Sequence, residues 1–316
     1  MKKTHHFLIS LLLVGQLITS CHPTKTQIEP IVTITPLARN IDSKPSAFPN
    51  LSLQELRLDY GKEMKIAEVF AKEFDLYRAI TTYKRALVLM PVEAHERRLQ
   101  AEYGIIQAYY LGQKYGEATD FFESSDLRNV TTSFPAFGDL LIILYDSYQK
   151  NSECDKAAKI LEIINKYNPE FANKLSITKD IVEADFVSLE NKKFLDPKLD
   201  PFLFNYYLES KSIRKAETLN ALLPGAGFYY IGQKKAAVTS FVLNTLFIAT
   251  TYQLFNNGYV GAGIFTLSLE TGWYLGGIYG AGLGAKEYNE RLYERHAKNY
   301  LLETQGFPLL MLETAF

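Results

Sequence analysis

Two long uncharged runs dominate the polar–apolar pattern of the chain. Ala236 to Phe255 is twenty residues without a charge, and Tyr259 to Ala285 carries only one, Glu270. The tip between them, Phe255-Asn256-Asn257-Gly258-Tyr259, is uncharged as well. Roughly 20 mostly apolar helical residues cross a bilayer's hydrocarbon core, so both runs are long enough. The pattern predicts a transmembrane helical hairpin, with helices at about 236–255 and 259–284 inside a membrane domain 219–285. The other reading is two buried helices of a water-soluble domain, because Thr, Asn and Gln dilute the first run.

Upstream, from Leu51 to about Leu189, apolar residues recur at intervals of three and four, the period of a helix face. Ile66, Val69, Phe70 and Phe74 form the first stripe, and Ala79 to Ala86 with Tyr83 follows, closed by Pro91. The offsets then return. Ala118 precedes Phe122, Ser125 and Val130; Ala157 precedes Leu161, Ile164 and Pro169. Ala79, Ala118 and Ala157 are each thirty-nine residues apart. Small residues let two helices cross closely, and a large one fills the gap to the next pair.

Ala79, Tyr83, Ala86 and Pro91 resemble the second helix of a tetratricopeptide repeat, and Ala67 and Phe70 fit its first. That repeat usually spans about 34 residues, so each copy here would carry extra loop residues. The middle copy lacks the proline, and unrelated α-hairpins also produce such a pattern. The expected fold class is all-α: tetratricopeptide-like helical hairpins over 51–190, followed by the transmembrane hairpin. The resemblance implies a concave face that binds a peptide or protein partner. Tyr103, Tyr109, Tyr110 and Tyr115 either line that face or fill the core, and Cys154 is expected as a small buried residue.

The first residues read as an export signal. Met1-Lys2-Lys3 is basic, Phe7 to Ile18 is apolar, and the signal occupies 1–21. Ile18-Thr19-Ser20-Cys21 resembles the lipobox of bacterial lipoproteins, which implies lipidation of Cys21. Five prolines between His22 and Asn50 predict a mostly disordered tether. Residues 191–218 form a linker with a short helix at Phe202 to Lys211, and 286–316 an amphipathic helix and tail. Gly306 to Phe316 carries no signal of its own.

Leu223 to Gly232 is the most motif-like stretch, with Pro224, Gly225, Gly227, Tyr230 and Gly232 as its marks. It resembles the entry of TM2-type two-helix membrane domains, and the C-terminal hairpin joined to tetratricopeptide repeats in many bacterial envelope proteins. The resemblance implies architecture and location rather than a reaction. Glycine permits a sharp turn, and Tyr229 and Tyr230 suit the headgroup layer. The Gly-Lys-Ser/Thr ending of a phosphate-binding loop is missing.

Gly272, Gly276, Gly280 and Gly284 recur every four residues and predict a ridge for close packing by the first helix or a second copy. Asn244 and Glu270 each lie thirteen residues from Asn257, hence at similar depth. An intramembrane carboxyl is a functional candidate, and a structural hydrogen bond between the two is the bland reading.

A net charge of −1 gives no basic footprint for nucleic acid. Two cysteines supply neither a disulfide framework nor a zinc site. His95 and His296 stand isolated on charged helices, and metalloprotease and serine-hydrolase motifs are missing. We expect no metal, no cofactor and no enzyme. Lys234, Lys235, Lys286, Arg291 and Arg295 flank the hairpin, which by the positive-inside rule puts both flanks in the cytoplasm. The export signal argues for the opposite side, and it is given more weight. The expected protein is a scaffold in the bacterial envelope, its repeats on the periplasmic side, held by membrane lipid. The alternative is a small membrane component of transport or membrane-protein biogenesis, working through Glu270.

Overall fold

The computed structural model describes residues 27–34 and 44–316. The export signal, Cys21 and parts of the tether lie outside the described residues. Those described are helical, with no strand and one isolated bridge between Ser46 and Ala315. The chain divides into two units, one of residues 32–181, 186–196 and 298–316, the other of 27–31, 182–185 and 197–297.

The first unit is an array of antiparallel helix pairs. Its helices are α1 (Asp59–Lys72), α2 (Leu76–Leu89), α3 (His95–Leu111), α4 (Tyr115–Ser124), α5 (Phe137–Lys150) and α6 (Cys154–Tyr167), with α7 (Pro169–Glu183) and α8 (Phe186–Asn191) following. The thirty-nine-residue spacing in the sequence is also a spacing in the backbone. Phe74, Gln113 and Ser152 adopt positive φ, at 61°, 58° and 62°. Each ends the first helix of a pair with the same crossed hydrogen bonds. The next residue's N–H reaches back to Phe70, Tyr109 or Tyr148, at 2.9, 2.8 and 2.9 Å. This left-handed cap satisfies carbonyls that a helix end otherwise leaves bare. Five residues later in each copy stand Ala79, Ala118 and Ala157, all fully buried.

Two connected cores fill the array. Tyr60, Met64, Ala67, Ala71, Ala79, Tyr83 and Ala101 pack the first pair against α3. Gly104 lies under Tyr83, where an added Cβ would come within 2.8 Å of the ring. The second core gathers Ile106, Leu127, Leu140, Ile143, Leu144, Ala157 and Ile164. Tyr103 and Tyr110 belong to it, while Tyr109 and Tyr115 are half-buried against it. Cys154 is exposed, contrary to expectation, because it opens α6 on the solvent side of the turn.

The other unit holds α9 (Leu199–Glu209), α10 (Ile213–Leu222), α11 (Ala226–Tyr230), α12 (Lys234–Asn256) and most of α13 (Val260–Glu303). The second predicted span and the amphipathic helix after it are therefore one continuous helix. Nothing between Ala285 and Lys286 breaks it, since neither proline nor a turn sequence intervenes. Ile213, Ala216, Ile231, Ala281 and Ala285 form its small core. Phe202 and Tyr206 stack on Tyr293 at 5.7 and 5.3 Å. Asn289 exchanges two hydrogen bonds with the backbone of Lys211, at 2.7 and 2.8 Å.

The described parts of the tether are held down rather than free. In the hairpin unit Ile28 is buried, and the N–H groups of Glu29 and Ile31 donate to Glu290 and Glu294 at 3.0 and 2.7 Å. In the array Pro45 O accepts from the Ala315 N–H at 2.8 Å, and Phe48 stacks on Tyr103 and Phe134.

Candidate functional sites: an inverted hairpin and an occupied groove

The helices α12 and α13 wear their polarity inside out. The inward positions of α12 are Ala237, Ser240, Asn244 and Thr251, all buried. Its outward positions carry Val238, Phe241, Val242, Leu246 and Ile248, with Val238 65% exposed. On α13 Gly263 and Glu270 are buried, whereas Ile264, Phe265, Leu267, Leu269 and Trp273 face outward, Phe265 at 66% exposure. A helix packed for water hides its large apolar residues and shows its polar ones. Among the described residues α12 is the one helix long and apolar enough to cross a membrane. Glycine, serine and threonine dilute α13.

The inward polar groups are only partly satisfied. Asn244 Nδ2 donates to the Ser240 carbonyl at 2.6 Å. Asn244 Oδ1, Thr251 Oγ1 and Glu270 Oε2 are buried with no hydrogen-bond partner among the described residues. The hydrogen bond expected from a protonated Glu270 to Asn244 is not formed: Asn244 Oδ1, the acceptor it needs, has no partner among the described residues.

The entry motif is a wedge where α10, α11, α12 and α13 meet. Gly225 adopts φ 92°, and a Cβ there would lie 2.3 Å from the Ala237 carbonyl oxygen. Its N–H donates to the buried Asn220 Oδ1 at 2.8 Å, which seats the turn after Pro224. Gly227 is as tight, with Ala216 O 2.3 Å and Ala281 Cβ 2.8 Å from the position of a Cβ. Gly232 takes φ 83° in open space and ends α11. Tyr230 accepts from the Ser212 N–H at 3.1 Å, and its ring carries Lys215 and Lys211 at 5.0 and 5.5 Å.

Within one chain the glycine ridge is covered only in part. Gly280 meets Phe228, and Gly284 meets Ile231 and Gln233. Gly272 and Gly276 have nothing within 4 Å of an added Cβ, so the first helix is not their partner. Other close approaches on α13 lie off the ridge, at Gly263 under Phe255, at Gly277 beside Asn220 and at Gly282 beside Glu217.

In the array, α3 and α5 form a groove occupied by residues 307–316. After Gly306, whose carbonyl accepts from Thr178 at 2.8 Å, comes the short helix α14 (Pro308–Met311). Leu309, Met311, Leu312 and Ala315 enter the second core. Asp139, buried on α5, accepts from the N–H groups of Glu313 and Thr314, both at 2.8 Å, and from the Thr314 hydroxyl at 2.5 Å. Gln107 Nε2 donates to the Thr314 carbonyl at 3.3 Å. Lys44 Nζ donates to the carbonyls of Leu310 and Leu312. Burial raises the Asp139 carboxyl above its ordinary value, against the pull of those hydrogen bonds and of Lys44.

Sequence reasoning missed this groove. Its only signal was the apolar run Phe307-Pro308-Leu309-Leu310-Met311-Leu312 after a glycine. His95 is exposed, while His296 is half-buried, its Nε2 3.4 Å from a Glu209 oxygen. No group of three or more potential metal-ligating side chains occurs among the described residues. No protein-family model, curated protein or solved structure matches this chain.

Proposed function

We propose that the protein is a membrane-held scaffold, with α12 and α13 as a transmembrane hairpin and the tetratricopeptide-like array as the part that engages another envelope protein. The observation that carries the reading is the inverted polarity of the hairpin. Large apolar side chains left in water would each forfeit about 1.5–3 kcal/mol of burial, and lipid removes that cost. The lysine-bearing Tyr230 and the exposed Tyr229 suit a headgroup layer at the foot of α12. The three hairpin pairs at a thirty-nine-residue period support an array built by stacking, and stacked pairs offer extended faces to partners.

A second reading draws on the unpartnered oxygens of Asn244, Thr251 and Glu270. An ionisable group with free acceptor capacity inside a membrane is a candidate for transport or membrane-protein biogenesis. Glu270→Gln separates the two. The scaffold reading expects cellular activity to survive that change and to be lost with substitutions on the array surface. The opposite pattern would favour the second reading.

A further inference from the structure

Residues 307–316 lie on the array as a bound peptide would. We propose that the α3–α5 groove is the docking site for a short apolar segment of a partner protein, and that the chain's own residues 307–316 are a strap that must be displaced. The inference rests on the scaffold reading and names the chemistry of its partner.

The groove grips main chain more than side chain. Two of the three hydrogen bonds into Asp139 come from backbone N–H groups, Gln107 donates to a backbone carbonyl, and Lys44, from the segment that runs beside the strap, donates to two more. Such contacts fix the register of a bound segment and place few demands on its side chains. The side-chain requirements are modest: apolar residues at the places of Leu309, Met311 and Leu312, a small one at Ala315, and a hydroxyl at Thr314.

The strap fills the groove incompletely. A cavity of about 310 Å³ opens beside Glu313 and Thr314, lined by Pro135, Gly138, Tyr167 and Phe171. A second of about 370 Å³ opens beside Ala315 and Phe316, lined by Lys44, Ala71 and Phe74. Gln107 Oε1 and Ser147 Oγ are buried on α3 and α5 with no hydrogen-bond partner among the described residues. A segment evolved only as core would close such gaps.

The strap is also joined through a strained point. Gln305 holds φ 52°, a left-handed conformation costly for a residue with a Cβ, immediately before Gly306. A short tether gives the strap an effective concentration in the millimolar range, so a partner must bind more tightly than the strap's own contacts.

The test uses the full chain in detergent and a labelled synthetic peptide of residues 307–316. Thr314→Val in the chain weakens the strap alone, removing one hydrogen bond to a carboxylate, and should raise peptide binding about tenfold. Asp139→Ala weakens the groove and should lower binding to the same strap-weakened chain by at least as much. Hydrogen exchange on the intact chain should show the Glu313 and Thr314 amides opening well before those of α3 and α5. The proposal is overturned if both variants move binding in the same direction, or if the strap exchanges only in step with the α3 and α5 core. Mixed dimers that form by trading straps between two tagged copies would also overturn it, since the occupant would then be a second copy. None of these results reports on the cellular effect of Glu270→Gln, so the scaffold reading stands or falls separately.

Discussion

At Gln113 and Ser152 an exposed residue with a Cβ holds a conformation that favours glycine. The left-handed region costs such a residue roughly 1–2 kcal/mol, partly offset by the greater freedom glycine has when unfolded. Gln113→Gly and Ser152→Gly should therefore each stabilise the array by about 0.5–1 kcal/mol, read as a higher urea midpoint at unchanged slope. The alanines five residues later were legible because small residues at a fixed interval are visible in a sequence. The caps were not, since Phe74, Gln113 and Ser152 share no chemistry. The pair of Arg97 and Glu55 was equally hidden. Arg97 donates to both Glu55 oxygens, at 2.7 and 3.2 Å, and to the carbonyls of Pro49 and Asn50. The Arg97 hydrogen bond, with donors from Ser52, holds the Glu55 carboxyl down at about 2. A depressed carboxyl stabilises the fold above its unfolded value, roughly 4.3, and that contribution fades as pH falls toward 2. Glu55→Gln should flatten the acid limb of stability between those values, as measured by urea unfolding at each pH.

The helices show which glycines the packing within one chain uses. Four-residue steps advance about 40° around a helix each time, so Gly272, Gly276, Gly280 and Gly284 do not all face a partner that runs parallel to α13. Seven-residue steps drift by only about 20°, and Gly263, Glu270, Gly277 and Gly284 share the inward side of α13. The regularity of the ridge was visible; the direction it faced was not. Substitution separates the two sets. Gly227→Ala would drive a methyl into the Ala216 carbonyl and should cost about 1–3 kcal/mol or more, whereas Gly272→Ala should not destabilise the monomer and should raise its stability by up to about 1 kcal/mol. Thermal unfolding in detergent reads both. The exchange of apolar and polar faces between α12 and α13 was foreseeable only as two uncharged runs, because hydropathy counts residues without saying which way they point.

Over the whole molecule, the helical class was readable from periodicity, and the strap was not. Asp139 and Thr314 meet across 175 residues of chain, and Gln107 and Thr314 across 207. No local pattern encodes such a pairing. The segment at Pro45 to Phe48, expected to be disordered from its prolines, gains order from the same remote contacts. Exposed Cys154 gives a native probe of the side on which the array lies. A membrane-impermeant maleimide should label it in intact spheroplasts if the array is exported, and only after lysis if it is not.

The central claim is that lipid, not water or protein, covers the outward face of the hairpin. Trp273, the single tryptophan of the chain, lies on that face, three residues from Glu270 and so about 4.5 Å farther along the axis. Its fluorescence in phospholipid vesicles tests the claim directly. The account predicts a blue-shifted emission that brominated lipid quenches and aqueous acrylamide does not. Red-shifted emission quenched by acrylamide and indifferent to brominated lipid would contradict it, and the hairpin would then be a water-exposed one.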